Sequence, residues 1–346
     1  MTSRYYFIDW IRVIAIALLM LYHVAIVFQP WGLMIGFITS AQSLEVLWTP
    51  MTMLNIWRIP ILFFISGLSI HYSFQNKDWK QLLKERVFRI GLPFIFGILC
   101  ITPIYLLILQ NYYDWEIKYT PQVSHLWFLG NILCYILLSI IPLHYLKTNS
   151  NSLFALKIKN VFSKPIVFLF VIICFIAETS TVNPPNYEMY AFTTHGFFLG
   201  WLAFTFGYLF AFSGERLWEN LVQLKWIFLI LAVALFAIRV NNSFLFPANL
   251  NLPTETCLWI FTIFAFAKKI LNTPHRILSY LSKAAYPIYI LHMIFLGLSS
   301  TLILPLELNV QLKFVGVLFG TALGSFLLYL IIKRIKYLSF LLGIRN

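Results

Sequence analysis

Asp9, Arg12 and His23 lie inside one apolar stretch, Phe7 to Phe28, that is long enough to cross a bilayer. At about 100° per residue, Arg12 and His23 fall within roughly 20° of each other around a helix, and Asp9 within roughly 60° of both. An ionised side chain at the bilayer centre costs on the order of 2.5–3.5 kcal/mol, so this stripe must face protein, water or substrate. An imidazole is the side chain best suited to take a proton from a hydroxyl near neutral pH, which makes His23 a candidate catalytic base. Asp9 and Arg12 either assist it or form a structural ion pair.

Other polar residues in apolar surroundings extend the set. Arg58 sits about ten Å below the outer end of the second span, at a depth similar to that of His23, and suits a carboxylate or a developing oxyanion; snorkelling to the surface is the alternative. Arg86 and Arg89 in KERVFR are three apart, on one face of a regular helix, where two guanidiniums can clamp phosphates or simply set topology. His125 and Trp127 open the fourth span in SHLWFLG, where they either contact substrate or decorate the interface. In AAYPIYILH, Tyr289 and His292 are three apart and share a face. Glu178, His195 and Glu255 stand at span ends and read as interface residues.

The elements that position these groups follow from composition. With 60% hydrophobic and 11% charged residues, the chain is an all-α, polytopic integral membrane protein. About ten spans are expected near Ile8 to Phe28, Met51 to Ser73, Phe88 to Leu109, His125 to Leu146, Pro165 to Thr181, Gly196 to Phe212, Leu224 to Val240, Thr254 to Leu271, Ala284 to Leu304 and Gln311 to Ile332. The net charge of +13 does not indicate nucleic acid, because the basic residues recur in short segments between apolar runs. Alternate connections carry nearly all of them, with only Lys118, Arg239 and Lys313 on the other side, which puts both termini in the cytoplasm. The first span reads as a retained helix rather than a cleaved signal. Four isolated cysteines make no CxxC pair or disulfide framework, and no metal is expected. Residues 1–346 read as a single membrane domain with no soluble extracytoplasmic domain.

The order Asp9-x-x-Arg12, ten residues and His23, then PILFFISG from Pro60 to Gly67, Arg86-x-x-Arg89 followed by Pro93, HLWFL from His125 to Leu129, and YPIYILH from Tyr286 to His292 resembles the membrane acyltransferase family 3. FIDWIRV, the Arg58 position and SHLWFL are most similar to its periplasmic glucan succinyltransferase branch, glucan biosynthesis protein C. The resemblance implies an inner-membrane enzyme that takes an acetyl or succinyl group from cytoplasmic acyl-CoA to a hydroxyl of a cell-envelope carbohydrate on the outer side. It further implies His23 as base, Arg12 as its partner in the stripe, and Arg86 and Arg89 as acyl-CoA contacts. Some relatives carry a fused hydrolase-like domain that completes transfer. Here either the membrane domain acts unaided or a separate extracytoplasmic partner protein finishes the reaction. The rival reading is a proton-coupled transporter or flippase, which predicts repeat symmetry and matching broken helices; neither signal is present.

Overall fold

In lipid a backbone satisfies its own hydrogen bonds only as helix or closed barrel, and this chain takes the first route. The computed structural model describes residues 5–242 and 248–344. Helix accounts for 80% of it, with no strand among the described residues. In chain order the helices are α1 (Tyr6–Val27), α2 (Trp48–Phe74), α3 (Trp79–Arg86), α4 (Leu92–Phe96), α5 (Thr102–Tyr112), α6 (Trp127–Thr148), α7 (Leu153–Phe162), α8 (Ile166–Val182), α9 (Thr194–Phe212), α10 (Glu215–Gln223), α11 (Lys225–Asn241), α12 (Ala248–Ile270), α13 (Arg276–Ile303), α14 (Val310–Ile332) and α15 (Lys336–Leu341). Side-chain caps set the starts of α7, α9 and α14: Ser152, Thr193 and Asn309 each accept a hydrogen bond from the backbone N–H three residues on.

Among the described residues, eight helices are long and apolar enough to span a membrane, and ten if each of two bent pairs counts as one span. The expected fifth and seventh spans are α8 and α11, each preceded by a short helix, α7 bent by 96° and α10 by 58°. The third span runs through α3, α4 and α5 as one rod with π turns at Val87–Gly91 and Gly97–Ile101. A proline follows each π turn, Pro93 and Pro103, whose rings would clash with the carbonyls of Arg89 and Leu99 in a regular helix. The Leu99 carbonyl accepts a hydrogen bond from the Tyr119 hydroxyl at 2.8 Å instead.

The helices divide into two compact units. One comprises Met1–Arg12, Thr52–Glu85 and Asn131–His275. Within it α2 crosses α9 backbone to backbone: a Cβ on Gly67 would collide with the Phe204 carbonyl, and one on Gly207 with that of Phe64. Small residues at such a crossing let two helices approach in an apolar medium. Phe64 then packs among Phe175, Phe206, Phe210 and Phe264.

The other unit comprises Val13–Met51, Arg86–Gly130 and Arg276–Asn346. Its core gathers Val24 to Phe28 with Tyr105, Leu109, Met293, Leu296 and Val317. The connection after α1 is tied down by Tyr105, whose hydroxyl donates to the Gly36 carbonyl at 2.6 Å, and by the Thr39 N–H donating to the Tyr113 hydroxyl at 3.0 Å. This fixes the end of α1 that carries His23.

Candidate active site

In the second unit, α1 and α13 bring two histidines 269 positions apart in sequence into contact: His23 Nδ1 lies 2.8 Å from His292 Nε2, with the rings stacked 12° from parallel. The other nitrogen of His292, Nδ1, is 2.6 Å from the Tyr289 carbonyl. A carbonyl only accepts, so His292 Nδ1 carries a proton and, in the neutral ring, its Nε2 is an acceptor. His23 Nδ1 is therefore the donor. That leaves His23 Nε2 as the basic nitrogen of a half-buried imidazole. The arrangement can receive a proton at Nε2 and stabilise the resulting cation through Nδ1–H.

A third imidazole adjoins the pair. The short 3-10 turn Ser124–Leu126 precedes α6, and it packs on Gly97, where a Cβ would strike the Leu126 side chain. His125 Nε2 donates to the Ile290 carbonyl at 3.2 Å, and the Tyr289 hydroxyl donates to the His125 carbonyl. The His125 ring stands nearly perpendicular to His292, 5.3 Å between centroids. Of the candidate residues in this unit, His23, His125, Tyr289 and His292 thus form one cluster. Trp127 opens α6 half-buried and edge-on to Phe128.

Arg86 and Arg89 lie elsewhere in the same unit. Arg86 ends α3 and Arg89 sits in the π turn, so they are further apart around the axis than regular helical spacing implies. Both are half-buried. The chain returns to this point at its end: Gly343, with φ +65°, lies where a Cβ would come 2.9 Å from the Arg89 carbonyl, and Phe340 packs on Phe88.

Asp9, Arg12 and Arg58 belong to the first unit. The Arg12 guanidinium bonds Asp9 at 3.1 Å and the Ser69 hydroxyl at 2.6 Å, joining α1 to α2. Arg58 is 3% exposed, 3.5 Å from the Asn55 side-chain oxygen. Asn55 in turn donates to Glu188 at 3.1 Å, and Glu188 is 3.4 Å from Arg239. Arg239 makes two hydrogen bonds to Glu255, at 2.9 and 3.0 Å, with both residues almost fully buried. Sequence reasoning missed this network. Arg239 counts as a connection charge until α11 is seen to carry it inside, and nothing local distinguishes Glu188 in NPPNYEMY. Glu178 and His195, read as interface residues, form a buried pair at 3.0 Å.

A family model described as an acyltransferase domain, acyltransferase 3, matches residues 5–330. The chain belongs to this family: it is a multi-pass membrane acyltransferase. No curated protein and no solved structure matches it.

Proposed function

We propose that the chain transfers an acetyl or succinyl group from acyl-CoA to a hydroxyl of a cell-envelope carbohydrate, with His23 as the general base. The observation that carries the proposal is the relay from the Tyr289 carbonyl through His292 to His23, which selects one tautomer of His23 and directs its basic nitrogen away from the pair. The acceptor hydroxyl oxygen attacks the thioester carbonyl carbon as its proton passes to His23 Nε2. The carbon–sulfur bond then breaks, and the departing thiolate takes the proton back from His23. The Tyr289 hydroxyl is engaged by the His125 carbonyl, so its part is to hold the cluster together. Arg86 and Arg89 supply positive charge for the phosphates of the donor. Arg12, paired with Asp9, acts through helix placement rather than at the reacting atoms.

The distribution of Lys and Arg supports an inner-membrane orientation with both termini and the arginine pair on the cytoplasmic side, so that donor enters from the cytosol and acceptor from outside. Arg58 belongs to the buried polar network of the first unit and is given no part at the reacting atoms. A separate extracytoplasmic partner protein is the route by which transfer would finish on an acceptor that cannot reach His23. Mass analysis of envelope glycans from a deletion strain tests the proposal. A substituent lost in the deletion, restored by the wild-type chain and not by His23→Ala, is the expected result; unchanged glycans would refute it.

A further inference from the structure

Among the buried polar atoms of the second unit that take no hydrogen bond from the protein are His125 Nδ1 and the hydroxyls of Tyr286 and Ser300. His125 Nε2 donates to the Ile290 carbonyl, so Nδ1 is the lone-pair nitrogen of the neutral ring and can only accept. Tyr286 can donate. His125 stands beside the base, its ring centroid 5.3 Å from that of His292. Tyr286 and Ile290 are one turn apart on the same face of α13, and His292 follows half a turn later.

The structure invests in holding this imidazole still. His125 is pinned at two points, through its ring to Ile290 and through its carbonyl to the Tyr289 hydroxyl. The residue before it, Ser124, has φ +44°, a conformation that non-glycine residues seldom adopt and that persists where surroundings enforce it. A rigid ring with an unsatisfied buried acceptor is costly unless a ligand completes it.

We propose that His125 Nδ1 and the Tyr286 hydroxyl bind the secondary amide that adjoins the thioester in the acyl donor, His125 accepting from its N–H and Tyr286 donating to its C=O. The inference rests on the acyl-CoA reading above. A secondary amide has one donor and one acceptor, which matches His125 Nδ1 and the Tyr286 hydroxyl in kind. The pair would fix how far the thioester advances towards His23.

The test is binding of coenzyme A, measured by calorimetry on the full chain in lipid nanodiscs, and of an analogue whose terminal amide N–H is replaced by an ester oxygen. His125→Gln keeps a donor for Ile290 but loses the Nδ1 acceptor, and Tyr286→Phe loses only a hydroxyl. Each is expected to weaken coenzyme A by roughly three- to tenfold, the cost of one hydrogen bond. The wild type should bind the ester analogue more weakly by a similar factor, and His125→Gln should not discriminate. Arg86→Ala is the control for the donor reading. If it loses coenzyme A while His125→Gln and Tyr286→Phe bind normally, the amide assignment is overturned. If Arg86→Ala also binds normally, the acyl-CoA reading itself fails. A His125→Gln effect confined to the KM of a glycan acceptor would assign the orphaned nitrogen to a sugar hydroxyl instead, and sink the proposal. Should His125→Gln not fold, Tyr286→Phe decides alone.

Discussion

His292→Phe removes one acceptor from the relay and keeps an aromatic ring in its place. In the ground state the bond from His23 Nδ1–H to His292 Nε2 joins two neutral groups at 2.8 Å, worth about 0.5–1.5 kcal/mol. In the transition state His23 gains a proton, and a hydrogen bond from a charged donor is worth about 1.5–3 kcal/mol. The difference, roughly 1–2 kcal/mol, lowers kcat by about five- to thirtyfold. A freed imidazole that also samples the wrong tautomer adds to this, and loss of the correct tautomer altogether reaches about 10⁴-fold in serine proteases. A kcat reduced by about ten- to a hundredfold, with the KM for acyl-CoA unchanged, is therefore expected. Stability should fall by about 1–3 kcal/mol, because the His23 Nδ1–H loses its acceptor and Phe is somewhat larger than the fully buried His292 it replaces. The decisive assay is a double-mutant cycle on acyl transfer. If His292 works only through His23, His23→Ala with His292→Phe is no slower than His23→Ala alone. Equal and additive losses in both backgrounds would refute the relay.

Three further outcomes follow from the first unit. Gly67→Ala places a methyl against the Phe204 carbonyl, and since backbone cannot yield as a side chain can, folded yield and thermal stability in detergent should fall sharply. Arg239→Ala leaves the carboxylate of Glu255 buried and unpaired at a cost of about 3–5 kcal/mol, and the isosteric removal of charge from Glu255 in Arg239→Met/Glu255→Gln should recover most of the melting temperature. Glu188 lies in the connection between α8 and α9, where burial raises its carboxyl above the ordinary 4.5 despite the Asn55 hydrogen bond and Arg239 nearby. A raised folded value means the native state holds its proton longer than the unfolded chain, so this stability is present below about 4.5 and lost as pH rises through the folded value. Glu188→Gln should therefore flatten the fall in melting temperature of the wild type over that window; parallel profiles would contradict the assignment.

Much of this architecture was legible from simple regularities. Apolar run length located the spans, since a bilayer demands about twenty residues of helix wherever one crosses. A small residue such as Gly67 lets two helices approach closely, and Gly67 is where α2 meets α9. Prolines 93 and 103 are visible in the sequence, but whether each kinks, breaks or widens a helix depends on what satisfies the freed carbonyl, as Tyr119 does for Leu99. For the site, the intramembrane histidines stood out because an imidazole in lipid is expensive. Their mutual contact could not be read, because α1 and α13 are joined by no local pattern and only packing brings His23 to His292. The same limit hid the network of Arg58, Glu188, Arg239 and Glu255, whose members come from three helices and a connection. Arg86 and Arg89 show the opposite failure: a periodicity argument assumed a regular helix, and Pro93 made it a π turn.

The most direct measurement is acyl transfer by purified protein in lipid vesicles supplied with radiolabelled acetyl-CoA or succinyl-CoA and a panel of envelope glycans. Label should appear on glycan with one free thiol released per acyl group, and His23→Ala should cut both to a small residual rate. Transfer at the wild-type rate by His23→Ala, or movement of solute across the vesicle with the thioester intact, would contradict the account.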